Sequence, residues 1–242
     1  MRCWNFVKNE ATETEPESIE LRISGDIIDD DDAWLYGWFG IEAASPNAFR
    51  DELSKYAGKD ITVWIDSYGG SVFAAAGIYN ALKEHKGAVT VKIDGKAMSA
   101  ASVIAMAGDQ ILMSPVAVMM IHNPLTDARG YASDLRKTAD VLDEIKETIV
   151  NAYQLKTGRS RNKISSLMDD ETYMSAKTAV KEGFADGTLY EDEKVTEALN
   201  YAFNRHEMLD STTDAVKRMV ALQKPPDNTA EKDKLLLQID LI

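Results

Sequence analysis

Cysteine is nearly absent: Cys3 is the only one in 242 residues. No internal disulfide can therefore staple the fold, and a reducing compartment is the simplest setting, so a cytoplasmic location is expected. Long apolar runs are also missing. The stretch from Ile111 to Ile121 is broken by Ser114 and Pro115 and falls short of the roughly 20 residues a spanning helix needs. Met1 to Glu10 lacks the apolar core of a signal peptide, so neither a membrane span nor a membrane partner is expected. Positive charge is in deficit, with 27 basic against 40 acidic residues and a net charge of -13. Such a surface repels phosphate backbones and anionic lipid, which argues against nucleic acid as a partner. Histidine is scarce too, limited to His85, His122 and His206.

What is present suits a soluble globular protein: 45% hydrophobic and 28% charged residues in a length that accommodates one large domain with appendages. The polar, acidic stretch 8–18 predicts a flexible lead-in over residues 1–18. The fold is expected to begin at Ile19, where Ile19, Leu21 and Ile23 alternate with polar neighbours as a strand does, up to Gly25. The run Asp29–Asp32 is either a solvated turn or a helix N-cap ahead of Ala33–Phe39. It lacks the alternating ligands and central glycine of a calcium loop, and no metal is expected.

A helix over Ser45–Tyr56, a strand at Ile61–Ile65, a turn at Gly69-Gly70 and a helix over Ser71–Glu84 spell a βαβ unit. The pattern repeats with a strand at Val89–Ile93, a turn at Gly95 and a small-residue helix over Met98–Ala107. Two such crossovers imply neighbouring parallel strands with both turns on one edge of the sheet. Ile111–Met113 and Val116–Ile121 read as short strands. From Tyr131 to Lys156 one long helix is predicted, with Leu135, Ala139, Leu142, Ile145, Ile149 and Ala152 on a stripe that seeks a partner helix. Short helices are expected at Ile164–Met168 and Ser175–Glu182. Residues 191–242 read as a helical extension, amphipathic to Leu222 and interrupted by Pro225-Pro226.

Amide hydrolysis needs a nucleophile, a base, a group that holds the base, and donors for the oxyanion. Ser99, in DGKAMSAAS, lies where strand gives way to helix; taken alone, a serine there is an N-cap. With small neighbours, however, it could meet a substrate backbone. His122, in MMIHNP, ends an apolar strand, whereas His85 and His206 fall in charged or polar surroundings. The Gly69-Gly70 pair in IDSYGGS is at least a tight turn, and two residues without side chains also let a peptide carbonyl reach backbone N–H groups.

The segments WIDSYGGSVFAAAGIYNAL, DGKAMSAASVIAMAGD, MIHNP and ETYMSAKTAVKEGFAD, in that order, resemble the proteolytic subunit of Clp protease, most closely the Clp-like head-maturation peptidases of phages and prophages. The resemblance covers residues 19–190. It implies an α/β fold of repeated ββα, crotonase-like units, with the helix 131–156 protruding to join subunits into a homo-oligomeric ring, or a pair of rings, that encloses the sites.

It also implies a serine endopeptidase needing no cofactor, with Ser99 as nucleophile, His122 as general base, and the N–H groups of Gly70 and Ala100 as oxyanion donors. The substrate, a peptide or protein, would lie as an added strand beside Gly69-Gly70. The triad acid falls at Glu171 or the adjacent Asp170. Tyr68 stands where the family usually has proline. The implied partners are an ATPase unfoldase or phage capsid and scaffold proteins. Three other readings compete: a crotonase-type acyl-CoA hydratase or isomerase, an inactive structural subunit, and a Ser-Lys dyad using Lys92 or Lys96.

Overall fold

Repeated βα steps set the architecture, with the apolar faces of the strands buried beneath α-helices. A computed structural model describes residues 4–9, 18–40 and 43–190, all within the unit Met1–Glu193. Strand β1 (Trp4–Asn9) runs antiparallel to β2 (Ser18–Ile27), pairing Trp4 with Ile23 and Asn9 with Ser18. The lead-in expected over 1–18 is thus corrected in part: its residues 4–9 form a strand. Residues 10–17 and the extension 191–242, including Pro225-Pro226 and His206, lie outside the described residues, as does Cys3.

The aspartate run forms a single 3-10 turn, Asp30–Asp32, leading into α1 (Ala33–Phe39). No aspartate side chain caps α1; Asp30 instead accepts a hydrogen bond from the Asn47 N–H at 3.1 Å. After β3 (Ala43–Ala44), α2 (Pro46–Ser54) opens on proline, whose missing N–H costs nothing at a helix start. Then come β4 (Ile61–Gly70), α3 (Val72–Lys83), β5 (Val89–Met98) and α4 (Ala100–Ala105). The short strands β6 (Gln110–Met113) and β7 (Val118–Ile121) precede the 26-residue α5 (Ala132–Thr157). The described part ends with α6 (Arg161–Asp169), β8 (Thr172–Ser175), α7 (Ala176–Glu182) and β9 (Gly187–Thr188).

The chain is a mixed α/β protein with a mainly parallel sheet in the order β1-β2-β4-β5-β6-β9. β2, β4, β5 and β6 are parallel neighbours, as the repeated βαβ pattern implies. Leu21, Ile23, Val63, Ile65, Val91 and Ile93 are fully buried on one face, under Ala74, Ala75 and Ile78 of α3 and the wholly buried α4. The opposite face is half-exposed and polar: Arg22 pairs with Asp94 at 2.8 Å, and the Lys92 ammonium lies over the Trp64 ring.

Gly95 does not make the expected turn. β5 runs through it to Met98 and changes partner, pairing with β6 over Thr90–Ile93 and with β7 over Lys96–Met98. A side chain at Gly95 would collide with the Asp66 carboxylate, so glycine serves close approach here rather than a reversal. The longer β5 carries the chain directly to Ser99.

Helix α5 is buried only in its last third, at Ile149, Val150, Ala152 and Tyr153. Each such aliphatic side chain withdrawn from water stabilises the fold by about 1.5–3 kcal/mol. Lys156 fixes the helix end, donating to the Gly108 and Asp109 carbonyls and pairing with Asp186 at 2.8 Å, as a cation does at the negative end of a helix dipole. Leu135 and Val141 on the first half stay exposed. Among the described residues no helix is long and apolar enough to cross a membrane.

Candidate active site

Ser99 occupies the single residue between the end of β5 and the start of α4. Its backbone has φ 52° and ψ -125°, a conformation that costs a non-glycine residue about 1–3 kcal/mol and persists only where the surroundings impose it. Here they do: Met98 pairs with Met120 on β7, and the Ser99 N–H donates to the Met120 carbonyl at 2.9 Å. The hydroxyl makes no N-capping bond. It lies instead 2.7 Å from Nε2 of His122, so the simple N-cap reading of this serine fails and a Ser–His pair stands in its place.

His122 follows the last residue of β7 and is half-buried. Burial lowers its pKa below the ordinary histidine value, and the nearby Glu171 carboxylate raises it by a smaller amount. The imidazole is therefore neutral at pH 7 and free to accept a proton from the hydroxyl. Glu171 has φ 48° and leads into β8, which runs antiparallel to β7. The Tyr173 hydroxyl donates to Glu171 Oε1 at 3.4 Å. Of the two candidate acids, Glu171 is the one whose charge acts on the imidazole, whereas Asp170 is exposed at the C-cap of α6.

The preceding Asp169 has a different destination. It accepts hydrogen bonds from Asn123 Nδ2 at 2.9 Å and from Lys146 Nζ at 2.5 Å, and these bonds hold its carboxyl below the usual carboxylate range. The residue after His122 is thus tied to α5 and to the end of α6. Sequence reasoning missed this link, because nothing in the spacing of 123, 146 and 169 announces that they meet.

The diglycine is required on both sides. A side chain on Gly69, at φ 107°, would lie 2.7 Å from the Met98 carbonyl oxygen and 2.8 Å from Ser99 Cβ; one on Gly70, at φ 146°, would overlap the Ile27 carbonyl. Only glycine combines these torsions with such close backbone approach. Buried Ser67, also missed in the sequence, braces the turn: its hydroxyl donates to the Gly25 carbonyl at 2.6 Å and accepts from the Gly69 N–H at 3.0 Å.

Gly70, Ser99, Ala100 and His122 share the rim of a cavity of about 570 Å³, whose walls include Val103, Leu142, Ile145 and Ile149. Among the described residues no Asp or Glu lines it. The lysines offered for a Ser-Lys dyad are engaged elsewhere. Lys96 pairs with Asp66 at 2.7 Å and lies over the Tyr68 ring, and Lys92 lies over Trp64. His85, as expected, is a surface group, bonded to the Lys59 carbonyl at 2.7 Å.

A hydroxyl in hydrogen-bond contact with a neutral imidazole, at a strained strand-to-helix junction beside an apolar cavity, is the arrangement on which Ser–His nucleophilic chemistry depends. The Clp protease family model matches residues 53–192 of this chain. The ATP-dependent Clp protease proteolytic subunit of Bacteroides fragilis is 35% identical over 134 residues, covering 54% of this chain and 65% of that protein. The ATP-dependent Clp protease proteolytic subunit 1 of Prochlorococcus marinus subsp. pastoris is 35% identical over 133 residues, 54% of this chain and 68% of that protein. The corresponding subunit of Porphyromonas gingivalis is 32% identical over 139 residues, 57% and 63% respectively. The chain belongs to the Clp protease family. It spans just under two thirds of the length of the Bacteroides fragilis relative.

Proposed function

We propose that this chain is a serine endopeptidase of the Clp type, with Ser99 as nucleophile, His122 as general base and Glu171 as the group that orients the base. The observation that carries the reading is the 2.7 Å contact between Ser99 Oγ and His122 Nε2. A peptide enters as a strand alongside Gly69-Gly70, with its scissile carbonyl at the cavity rim. His122 takes the hydroxyl proton as Ser99 Oγ bonds to the carbonyl carbon, and the N–H groups of Gly70 and Ala100 receive the oxyanion. The C–N bond breaks as the imidazolium protonates the departing amine. Water, deprotonated by the same imidazole, then splits the ester, and the proton returns to Ser99.

A hydratase or isomerase of the crotonase type would draw its acid and base from carboxylates at the ligand, and among the described residues none lines the cavity. Assembly follows from α5: Leu135 and Val141 remain uncovered in a single chain, and a second copy packed against that helix, within a ring or between two rings, removes them from water. The setting is cytoplasmic.

Of the two biological roles, ATP-dependent proteolysis with an unfoldase partner accords with relatives named ATP-dependent Clp protease subunits, and maturation of a phage capsid or scaffold accords with the motif resemblance. Turnover of a fluorogenic peptide by the wild-type chain, its loss in Ser99→Ala, and no turnover of an enoyl-thioester are the expected results. Thioester turnover that survives Ser99→Ala would replace this reading with the hydratase. Native mass gives the assembly, and a particle of one subunit would contradict the ring.

A further inference from the structure

The oxyanion donor at Ala100 does not stand alone. Its N–H belongs to the same rigid peptide plane as the Ser99 carbonyl, pointing the opposite way. Whatever grips that carbonyl therefore sets the direction of the N–H. Besides the first turn of α4, Ser102 grips it twice, through its backbone N–H at 3.0 Å and its hydroxyl at 2.5 Å.

Ser102 is fully buried, and its one hydroxyl proton is spent on the Ser99 carbonyl. The 2.8 Å contact between Ser102 Oγ and Tyr153 Oη must then be donated by the tyrosine. Tyr153 projects from α5, is 1% exposed, and packs edge-on against Phe184 with ring centroids 5.4 Å apart. Burial pushes its phenol well above the ordinary range, so it keeps its proton at any working pH. The result is a directional chain: Tyr153 O–H to Ser102 O–H to the Ser99 carbonyl, with the Ala100 N–H at its far end.

We propose that Tyr153 and Ser102 are positioning residues that fix and polarise the Ser99–Ala100 peptide, so that its N–H is aligned and strengthened as the oxyanion donor. Each hydrogen bond accepted by an amide carbonyl makes the N–H of that amide a better donor, and linked bonds reinforce one another. The chain also accounts for the torsions of Ser99, whose backbone is held by Met120 at its N–H and by Ser102 at its carbonyl. Through the Tyr153 hydroxyl, the long helix α5 is linked to the oxyanion donor as well as lining the cavity. This inference rests on Ser99 being the nucleophile.

Ser102→Ala, Tyr153→Phe and the double variant test it. All three retain the size of the side chains, and the double variant removes both hydroxyls together, leaving no buried polar atom without a partner. Losing an oxyanion donor outright costs about 100-fold to 1,000-fold in turnover, so misaligning one is expected to cost roughly 10-fold to 30-fold in Ser102→Ala and about 3-fold to 10-fold in Tyr153→Phe. KM should stay within about twofold, because the ground-state peptide gains little from the oxyanion donor. The double variant should match Ser102→Ala, because the tyrosine acts only through the serine.

Affinity for a peptide boronate, which forms a tetrahedral adduct on Ser99, should fall in parallel with turnover, a response that core packing alone does not produce. Wild-type turnover in either single variant, losses that multiply in the double variant, or unchanged boronate affinity would each overturn the proposal while Ser99→Ala still abolishes activity. A wild-type chain that neither cleaves peptide nor binds the boronate would overturn the peptidase reading and this inference together.

Discussion

Ile121 pairs with Thr172 across the antiparallel ladder of β7 and β8, so the next residue beyond each, His122 and Glu171, emerges at the same end of that ladder. Backbone register, more than loop geometry, therefore brings the Glu171 carboxylate near the imidazole. Glu171 itself has a positive φ of 48° and immediately precedes the strand.

Glu171→Gln keeps the shape but loses the charge that acts on the imidazole. Turnover is expected to fall by roughly 100-fold to 10,000-fold. Asp170→Asn should change it by less than about twofold. Steady-state kinetics on the two variants decides between the acids, and the reverse ranking would move the role to Asp170.

The pH dependence follows from the two influences on His122. Burial disfavours the cation and outweighs the opposing carboxylate, placing the pKa below the ordinary 6.5. The base form is lost only as pH falls through that lowered value. The profile of kcat/KM is thus expected to be level from about pH 8 to 6.5 and to decline below it. Removing the Glu171 charge takes away the influence that raises the pKa, so in Glu171→Gln the acid limb of the residual activity should move to still lower pH. A limb centred above 6.5 in the wild type, or shifted upward in the variant, would contradict this assignment.

Gly70→Ala forces a side chain into the Ile27 carbonyl at φ 146°. Strain and overpacking together are expected to cost about 2–5 kcal/mol, visible as a fall in melting temperature of roughly 5–15 °C. A variant that melts with the wild type would show that β2 and β4 can part at this point without cost.

Lys96→Met and Lys92→Met separate the Ser–His reading from a Ser-Lys dyad. With Lys96 committed to Asp66 and Lys92 lying over Trp64, both variants should react with a fluorophosphonate at rates within about twofold of wild type. A loss above about 1,000-fold in either would restore the dyad.

The parallel core was legible because each βα step advertises itself: an apolar run, glycines, then a helix with small residues on its buried face. Ser99 and His122 were legible for a different reason, as a hydroxyl at a strand-to-helix junction and the one histidine following an apolar strand. Their contact was not, since it depends on Met98 pairing with Met120, a register no local pattern encodes. β8 escaped notice because four residues with one buried side chain carry no clear alternation. Gly95 misled because glycine marks close approach as readily as reversal, and only the Asp66 carboxylate beside it distinguishes the two. Ser67 and Ser102 were invisible as functional groups, since a serine in sequence gives no hint of which backbone atom it will brace. Sequence leaves Glu171 and Asp170 as alternatives for the same cause: adjacent side chains differ in direction.

The most direct test of the account is the site of phosphonylation. Wild-type protein treated with a fluorophosphonate, digested and sequenced by mass spectrometry should carry one adduct, on Ser99. The adduct should be absent in Ser99→Ala and slowed at least about 1,000-fold in His122→Ala. An adduct on another serine, or undiminished labelling without the imidazole, would contradict the pairing on which the mechanism stands.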